Sequence, residues 1–145
     1  MRIATLSGAF PPQFDGIGDH NWWLSQALAQ QGHAVTVFTS FPSDRPLPVN
    51  VQVLPCFEAS KSQTVKAILP LLQTGDSFDW LIVQYNPFSF GSRGFAPGLV
   101  STLRSVQIPI GCIFHETFAV PLWPWQHIVM RLWQYPQFVS LVRMG

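Results

Sequence analysis

The hydrophobic pattern of this chain switches repeatedly between a period near two and a period near 3.6. Arg2–Ser7 (R-I-A-T-L-S) and Ala34–Thr39 (A-V-T-V-F-T) read as short strands. Residues 49–54 (V-N-V-Q-V-L) alternate apolar and polar, as a half-buried or edge strand does. Residues 79–84 (D-W-L-I-V-Q) form a continuous apolar run of the kind covered on both faces, and residues 108–114 (I-P-I-G-C-I-F) make the fifth strand. Between the first two strands lie a loop over residues 8–18 and a helix over about 19–31, closed by Gly32.

Helical signals fill the later gaps. Ser60 and Gln63 match a capping box, in which hydroxyl and amide each satisfy an orphan backbone donor. Val65, Ile68, Leu69 and Leu72 then share a face, with Pro70 expected to kink or end the helix. Pro97 suits the first turn of the next helix, whose Ala96, Leu99, Val100 and Leu103 share another face. Strands alternating with helices at this spacing predict an α/β fold: a Rossmann-like parallel sheet with helices on both faces. Right-handed crossovers make the expected strand order 3-2-1-4-5. Ligands of such sheets collect at the carboxyl edge, where strands 1 and 4 diverge. The loops leaving that edge span residues 8–18, 85–94 and 115–121.

Composition narrows the setting. The length of 145 residues fits one domain able to bury a core. Charged residues make up only 10% of it, against roughly 25% in ordinary globular chains, while Trp numbers 6 and Phe 12. So few charges and so many aromatics imply a surface covered in use by a domain, a membrane or a partner. The net charge of +1, without a basic cluster, argues against nucleic acid. Cys56 and Cys112 form no C-x-x-C pair and are expected to be buried thiols of a reducing compartment. The amino-terminal apolar run breaks at Ser7-Gly8 and again at Pro11-Pro12, so no signal peptide is expected. Nor is there a run of about 18 apolar residues that would span a bilayer. The expected location is cytoplasmic, at most peripheral at the cytoplasmic face of a membrane.

Candidate chemistry sits on the predicted carboxyl edge. Gly16, Ile17 and Gly18 bring backbone N–H groups and a helix N-terminus to one spot, which suits a phosphate. The same glycines could instead serve only a turn and close helix packing. A dinucleotide fingerprint is incomplete, because Asn21 stands where a third glycine belongs and no acidic residue ends the second strand. His115 can donate to a substrate hydroxyl or developing charge and Glu116 can accept from a sugar hydroxyl, unless the two only brace a loop. Asp19 and His20 open the helix, where Asp19 also complements the helix dipole. Tyr85 and Asn86 either line a polar pocket or form a turn with Pro87. His20, His33, His115 and His127 lack metal-ligand spacing, and no Ser or Cys nucleophile motif occurs.

The opening of the chain carries a more specific pattern. Phe10-Pro-Pro-Gln-Phe-Asp-Gly-Ile-Gly-Asp19, then Leu24-Ser-Gln-Ala-Leu-Ala and Gly32-His-Ala-Val-Thr-Val37, resembles the start of family-4 glycosyltransferases of GT-B architecture. Gln84-Tyr85-Asn86-Pro87 after the fourth strand and His115-Glu116 after the fifth fit the same family. Many members have two adjacent glycines where this chain has Asp15-Gly16. These are retaining enzymes with two Rossmann-like domains and a donor site in the cleft between them. The resemblance covers essentially the whole chain but only the family's N-terminal, acceptor-side domain. It implies a fragment that transfers a sugar from a nucleotide-sugar donor to a glycan or lipid-linked acceptor, inactive alone without the C-terminal donor-binding domain.

By position, the resemblance puts Gly16, Ile17 and Gly18 at the donor diphosphate and His115 in a catalytic role beside the donor sugar. Asp19, His20, Tyr85, Asn86 and Glu116 fall to the acceptor or sugar pocket, with no metal and no other cofactor. A reading from another class is a non-catalytic, flavodoxin-like α/β binding or interaction domain. Residues 122–143 form the tail, in which Ile128, Leu132, Tyr135, Val139 and Val142 keep one helical face beside a second stripe of Trp125, Val129 and Trp133. This tail is expected to pack on the domain and on a missing one, or, with Arg131 and Arg143, to rest on a bilayer.

Overall fold

The computed structural model describes residues 1–73, 78–116 and 124–144, with only the backbone of residues 124, 126 and 127. In chain order the elements are β1 (Arg2–Ser7), α1 (Gly16–Gln30), β2 (Ala34–Thr39), β3 (Val51–Pro55), a 3-10 helix (Ser62–Ala67), α2 (Ile68–Gln73), β4 (Trp80–Tyr85), a 3-10 turn (Ser92–Gly94), α3 (Pro97–Arg104), β5 (Ile110–Phe114) and α4 (Pro124–Val142). The five strands form one sheet in the order β3-β2-β1-β4-β5, every pair parallel.

Period-two alternation divides the sheet into two faces. Val35 and Val37 of β2 and Val51 of β3 pack with Phe10 and with Trp22 of α1, forming a small core on the front. Ala4, Leu6, Phe38, Leu81, Val83 and Tyr85 point to the back, where Val65, Ile68 and Leu72, then Leu99 and Leu103 of α3, complete the larger core. Crossovers that return over opposite faces are what a strand order reversing at β1 requires. Helices therefore cover both faces.

Three local expectations need correction. The capping box does not form: Ser60 adopts φ 60°, its hydroxyl donates to Phe88 O at 3.1 Å, and the turn that follows is 3-10 without a side-chain cap. Pro70 does not break a helix, because α2 begins at Ile68 and a first-turn proline loses no hydrogen bond. Strands β3, β4 and β5 start one or two residues later than their apolar patterns suggest.

The tail packs on the domain through its polar side. Helix α4 turns Gln134, Gln137 and Leu141 inward, while Ile128 and Leu132 stay 70% and 72% exposed and Trp125, Tyr135 and Val142 are exposed too. Gln137 is the reason. Its Oε1 accepts from Ala96 N at 2.8 Å, and its Nε2 donates to Tyr85 Oη at 2.7 Å and to Gly94 O at 3.3 Å. The amide thus satisfies backbone and phenol groups that burial would otherwise orphan. Phe138 adds an edge-to-face contact with Phe114, ring centroids 5.1 Å apart. Among the described residues, no helix is long and apolar enough to cross a membrane.

Candidate functional site

Strand parity decides which side chains reach the front of the carboxyl edge. Ser7 pairs with Gln84 and Gln84 with Ile113, so these point forward, while Tyr85 and its partner Phe114 point back. His115 continues the ladder, its N–H donating to Tyr85 O at 3.1 Å, and so lies on the same side as Gln84. Helix α1 crosses the front and brings His20 and Asn21 against them.

The result is a connected polar cluster. The Oε1 of Gln84 is 2.7 Å from His115 Nε2 and 3.2 Å from His20 Nδ1. Its Nε2 reaches Asn21 Oδ1 at 3.5 Å, and Asn21 Nδ2 donates to Thr5 Oγ1 at 3.2 Å. Thr5, Asn21 and Gln84 are fully buried, whereas His115 is half-buried and His20 exposed. The two imidazoles meet edge to face with ring centroids 4.9 Å apart. Buried amides thus carry two rings whose outer edges face solvent.

Burial holds the His115 pKa below the ordinary histidine value, and the neighbouring His20 lowers it further against the opposing pull of Asp15 and Glu116. His115 is therefore neutral at pH 7 and available as a hydrogen-bonding base. A histidine with a depressed native pKa stabilises the fold above its unfolded value, about 6.5, and loses that contribution as pH falls through the lower native value. Denaturant midpoints measured between pH 7.5 and 5 are expected to fall with acid, and less steeply in His115→Asn. An identical slope in both would remove His115 as the group responsible.

The glycine turn is built differently from a phosphate cradle. Helix α1 starts at Gly16 rather than Asp19, because Asp15 caps it. Its Oδ1 accepts from Ile17 N at 2.9 Å and Gly18 N at 2.8 Å, the amides that a bound anion would use. A Cβ on Gly18 would stand 3.2 Å from Ala9 C and Phe10 N, so this glycine permits close packing of the helix on the preceding loop. A Cβ on Gly16 would meet nothing within 4 Å.

The other candidates separate. Asp19 faces Arg45 at 3.9 Å, and the Arg45 guanidinium lies 5.7 Å from the Trp22 ring centroid, so Asp19 does not join His115. Tyr85 is fully buried with its hydroxyl on Gln137; assigning it to a polar pocket is wrong, because parity turns it to the back. Asn86 accepts from Phe88 N at 2.8 Å in a turn and donates to Glu116 Oε2 at 3.2 Å, which ties the loops after β4 and β5 together. Glu116 is exposed beside His115. Residues 117–121 of the loop after β5 lie outside the described residues.

Sequence reasoning overlooked the scaffold of the cluster. Asn21 entered it only as the residue displacing a third glycine, and Gln84 only as the end of a strand and the start of a family motif, with no role of its own. A polar side chain closing an apolar strand on the carboxyl edge was the available signal for Gln84. For Asp15 it was an Asp directly before a helix-starting glycine. Cys56 and Cys112 are free and half-buried rather than buried, and burial pushes each thiol up to about 11. Among the described residues, no three His, Cys, Asp or Glu side chains gather as metal ligands would.

No protein-family model and no curated protein matches this chain. Among solved structures, it is similar to a UGT transferase from Siraitia grosvenorii, determined in complex with UDP, at a TM-score of 0.46 and 14% identity. The alignment covers 77% of this chain and 23% of that one, so the chain spans about a quarter of the length of that structure.

Proposed function

We propose that this chain is the acceptor-side half of a nucleotide-sugar-dependent glycosyltransferase of the family-4, GT-B, retaining type. The observation that carries the reading is the cluster of His20, Gln84 and His115 on the ligand edge, flanked by Glu116 and by the N-terminus of α1. A neutral imidazole and an exposed carboxylate side by side offer a sugar ring one partner of each kind for its hydroxyls. His115 would act beside the donor sugar, with His20 and Glu116 shaping the acceptor side and Asn86 holding Glu116 in place.

The diphosphate would approach the turn of Gly16, Ile17 and Gly18, with Asp15 swinging out of its cap as the phosphate takes over the two amides. The outer face of α4 is assigned to contact with the second domain. Orientation of donor and acceptor from both sides of a cleft supplies much of the rate in such transfers, so half a cleft should bind without turning over.

Titration of the ¹⁵N-labelled chain with UDP-sugars tests this. Shift changes are expected at Asp15, Gly16, Ile17, Gly18, His20, Gln84, Asn86, His115 and Glu116, with neither hydrolysis nor transfer. Changes centred elsewhere would overturn the site. Tight binding with turnover would overturn the half-site reading. In a full-length homologue with the same motifs, His115→Ala is expected to lower turnover by about 100-fold, the lower end for one lost acid–base group. Unchanged turnover would reduce His115 to a bracing residue.

A further inference from the structure

We infer that Gln84 is a positioning residue that locks His115 and His20 into opposite tautomers, His115 with its proton on Nε2 and His20 with its proton on Nδ1. The chain of contacts behind this runs inward from solvent to the sheet. Both ring nitrogens approach one oxygen, Gln84 Oε1, at 2.7 and 3.2 Å. A carbonyl oxygen has two lone pairs and no proton, so each ring must donate to it. The amide is held in that sense by its Nε2 donating to Asn21 Oδ1, and Asn21 in turn donates to Thr5 Oγ1. All three of these side chains are fully buried, so water does not compete for them.

The consequence lies at the outer edge of the rings. With Nε2–H of His115 and Nδ1–H of His20 turned inward, His115 Nδ1 and His20 Nε2 carry lone pairs, and neither has a hydrogen-bond partner among the described residues. Two nitrogen acceptors presented together favour a ligand that donates hydroxyls, a polyol, over an anion. This consequence rests on the glycosyltransferase reading for its ligand; the tautomers do not. Charged groups facing the pair are Asp15 and Glu116, both favouring protonation of His115, while His20 opposes it. Acid would therefore convert the His115 acceptor to a donor and weaken the preference.

Two-bond ¹H–¹⁵N correlation spectra of the full, ¹⁵N-labelled chain at pH 8 read each tautomer directly, without any nucleotide-sugar. His20 as Nδ1–H is the diagnostic result, because free histidine in water favours Nε2–H. Gln84→Leu removes the acceptor and should return His20 to mostly Nε2–H. Gln84→Glu keeps an acceptor, should preserve both tautomers, and should raise the pKa of His115. His20 as Nε2–H in the unaltered chain would overturn the inference. So would unchanged tautomers in a folded Gln84→Leu. If Gln84→Leu does not fold, the unaltered chain and Gln84→Glu still decide. Failure of these spectra would leave the UDP-sugar titration untouched, and failure of that titration would leave the tautomers standing.

Discussion

Replacing Gly98 by alanine is expected to destabilise the fold by about 3 kcal/mol, the upper end for overpacking. Gly98 is the second residue of α3, and its buried backbone lies against the 3-10 helix that precedes α2. A Cβ there would stand 2.1 Å from Ser62 O, 2.4 Å from Ser62 C and 2.8 Å from Gln63 N. All three are backbone atoms, so no side chain can rotate away. The approach is also bonded, with Gly98 N donating to Ser62 Oγ at 3.3 Å. Helix propensity acts in the opposite direction, since alanine is better than glycine in a helix by about 1 kcal/mol. The sign of the measured change therefore separates packing from propensity. Gly16→Ala is the internal control. Nothing lies within 4 Å of its added methyl, and the change should stay within about 1 kcal/mol. Equal urea midpoints for Gly98→Ala and the unaltered chain would show that the two helices do not meet as described.

Gln137→Ala is expected to cost about 3 kcal/mol and to loosen α4 ahead of the sheet, at roughly 1 to 3 kcal/mol for each buried polar group left unsatisfied. The side chain serves three such groups: Ala96 N–H, Tyr85 Oη and Gly94 O. Tyr85 is the sensitive one, because it is fully buried, and burial holds its phenol neutral by raising its pKa. Leu132→Ser, on the opposite side of the same helix, should change stability by less than about 0.5 kcal/mol, since Leu132 is 72% exposed. Amide exchange resolves the order of events. Protection along α4 should fall in Gln137→Ala while that of β1 and β4 persists. If Gln137→Ala proves no more harmful than Leu132→Ser, the polar side of α4 does not anchor it.

These two substitutions bear on the proposed function through the surface they expose or hold. An apolar outer face on a helix anchored by glutamines inverts the usual arrangement, in which the apolar stripe finds the core. Trp125, Ile128, Leu132, Tyr135 and Val142 are exposed on it, with no acidic residue anywhere in α4. On the half-enzyme reading this face meets the second domain. Sedimentation of the isolated chain with anionic vesicles would instead assign it to a membrane.

Much of the frame was legible in the residues alone, because its causes are local. The β-branched and apolar runs of β1 and β2 marked those strands to the residue, Gly32 with φ 84° closed α1, and Pro97 opened α3. Alternation of strands with crossovers then sufficed for the order β3-β2-β1-β4-β5, since handedness leaves few other windings. The carboxyl edge followed from that order, and with it the placing of His115 and His20 as candidates on it.

Only the assembled sheet decided what faces that edge. Residues 84 and 85 are neighbours with similar claims to a polar role, yet a period of two sends one forward and the other back, and the register with β1 and β5 chooses between them. Which side of the tail meets the domain was open for a related reason. A helical stripe shows that a face is apolar but not that a surface exists to receive it. Gln137 turned inward because Tyr85, Gly94 and Ala96, some 40 to 50 residues earlier, had come together and needed partners. Asp15 is the intermediate case. Its capping role was written next to Gly16, but that it fills the place of an anion became apparent only with its oxygen 2.8 and 2.9 Å from the two amides. Periodicity is a property of the chain; parity, partners and occupancy belong to the fold.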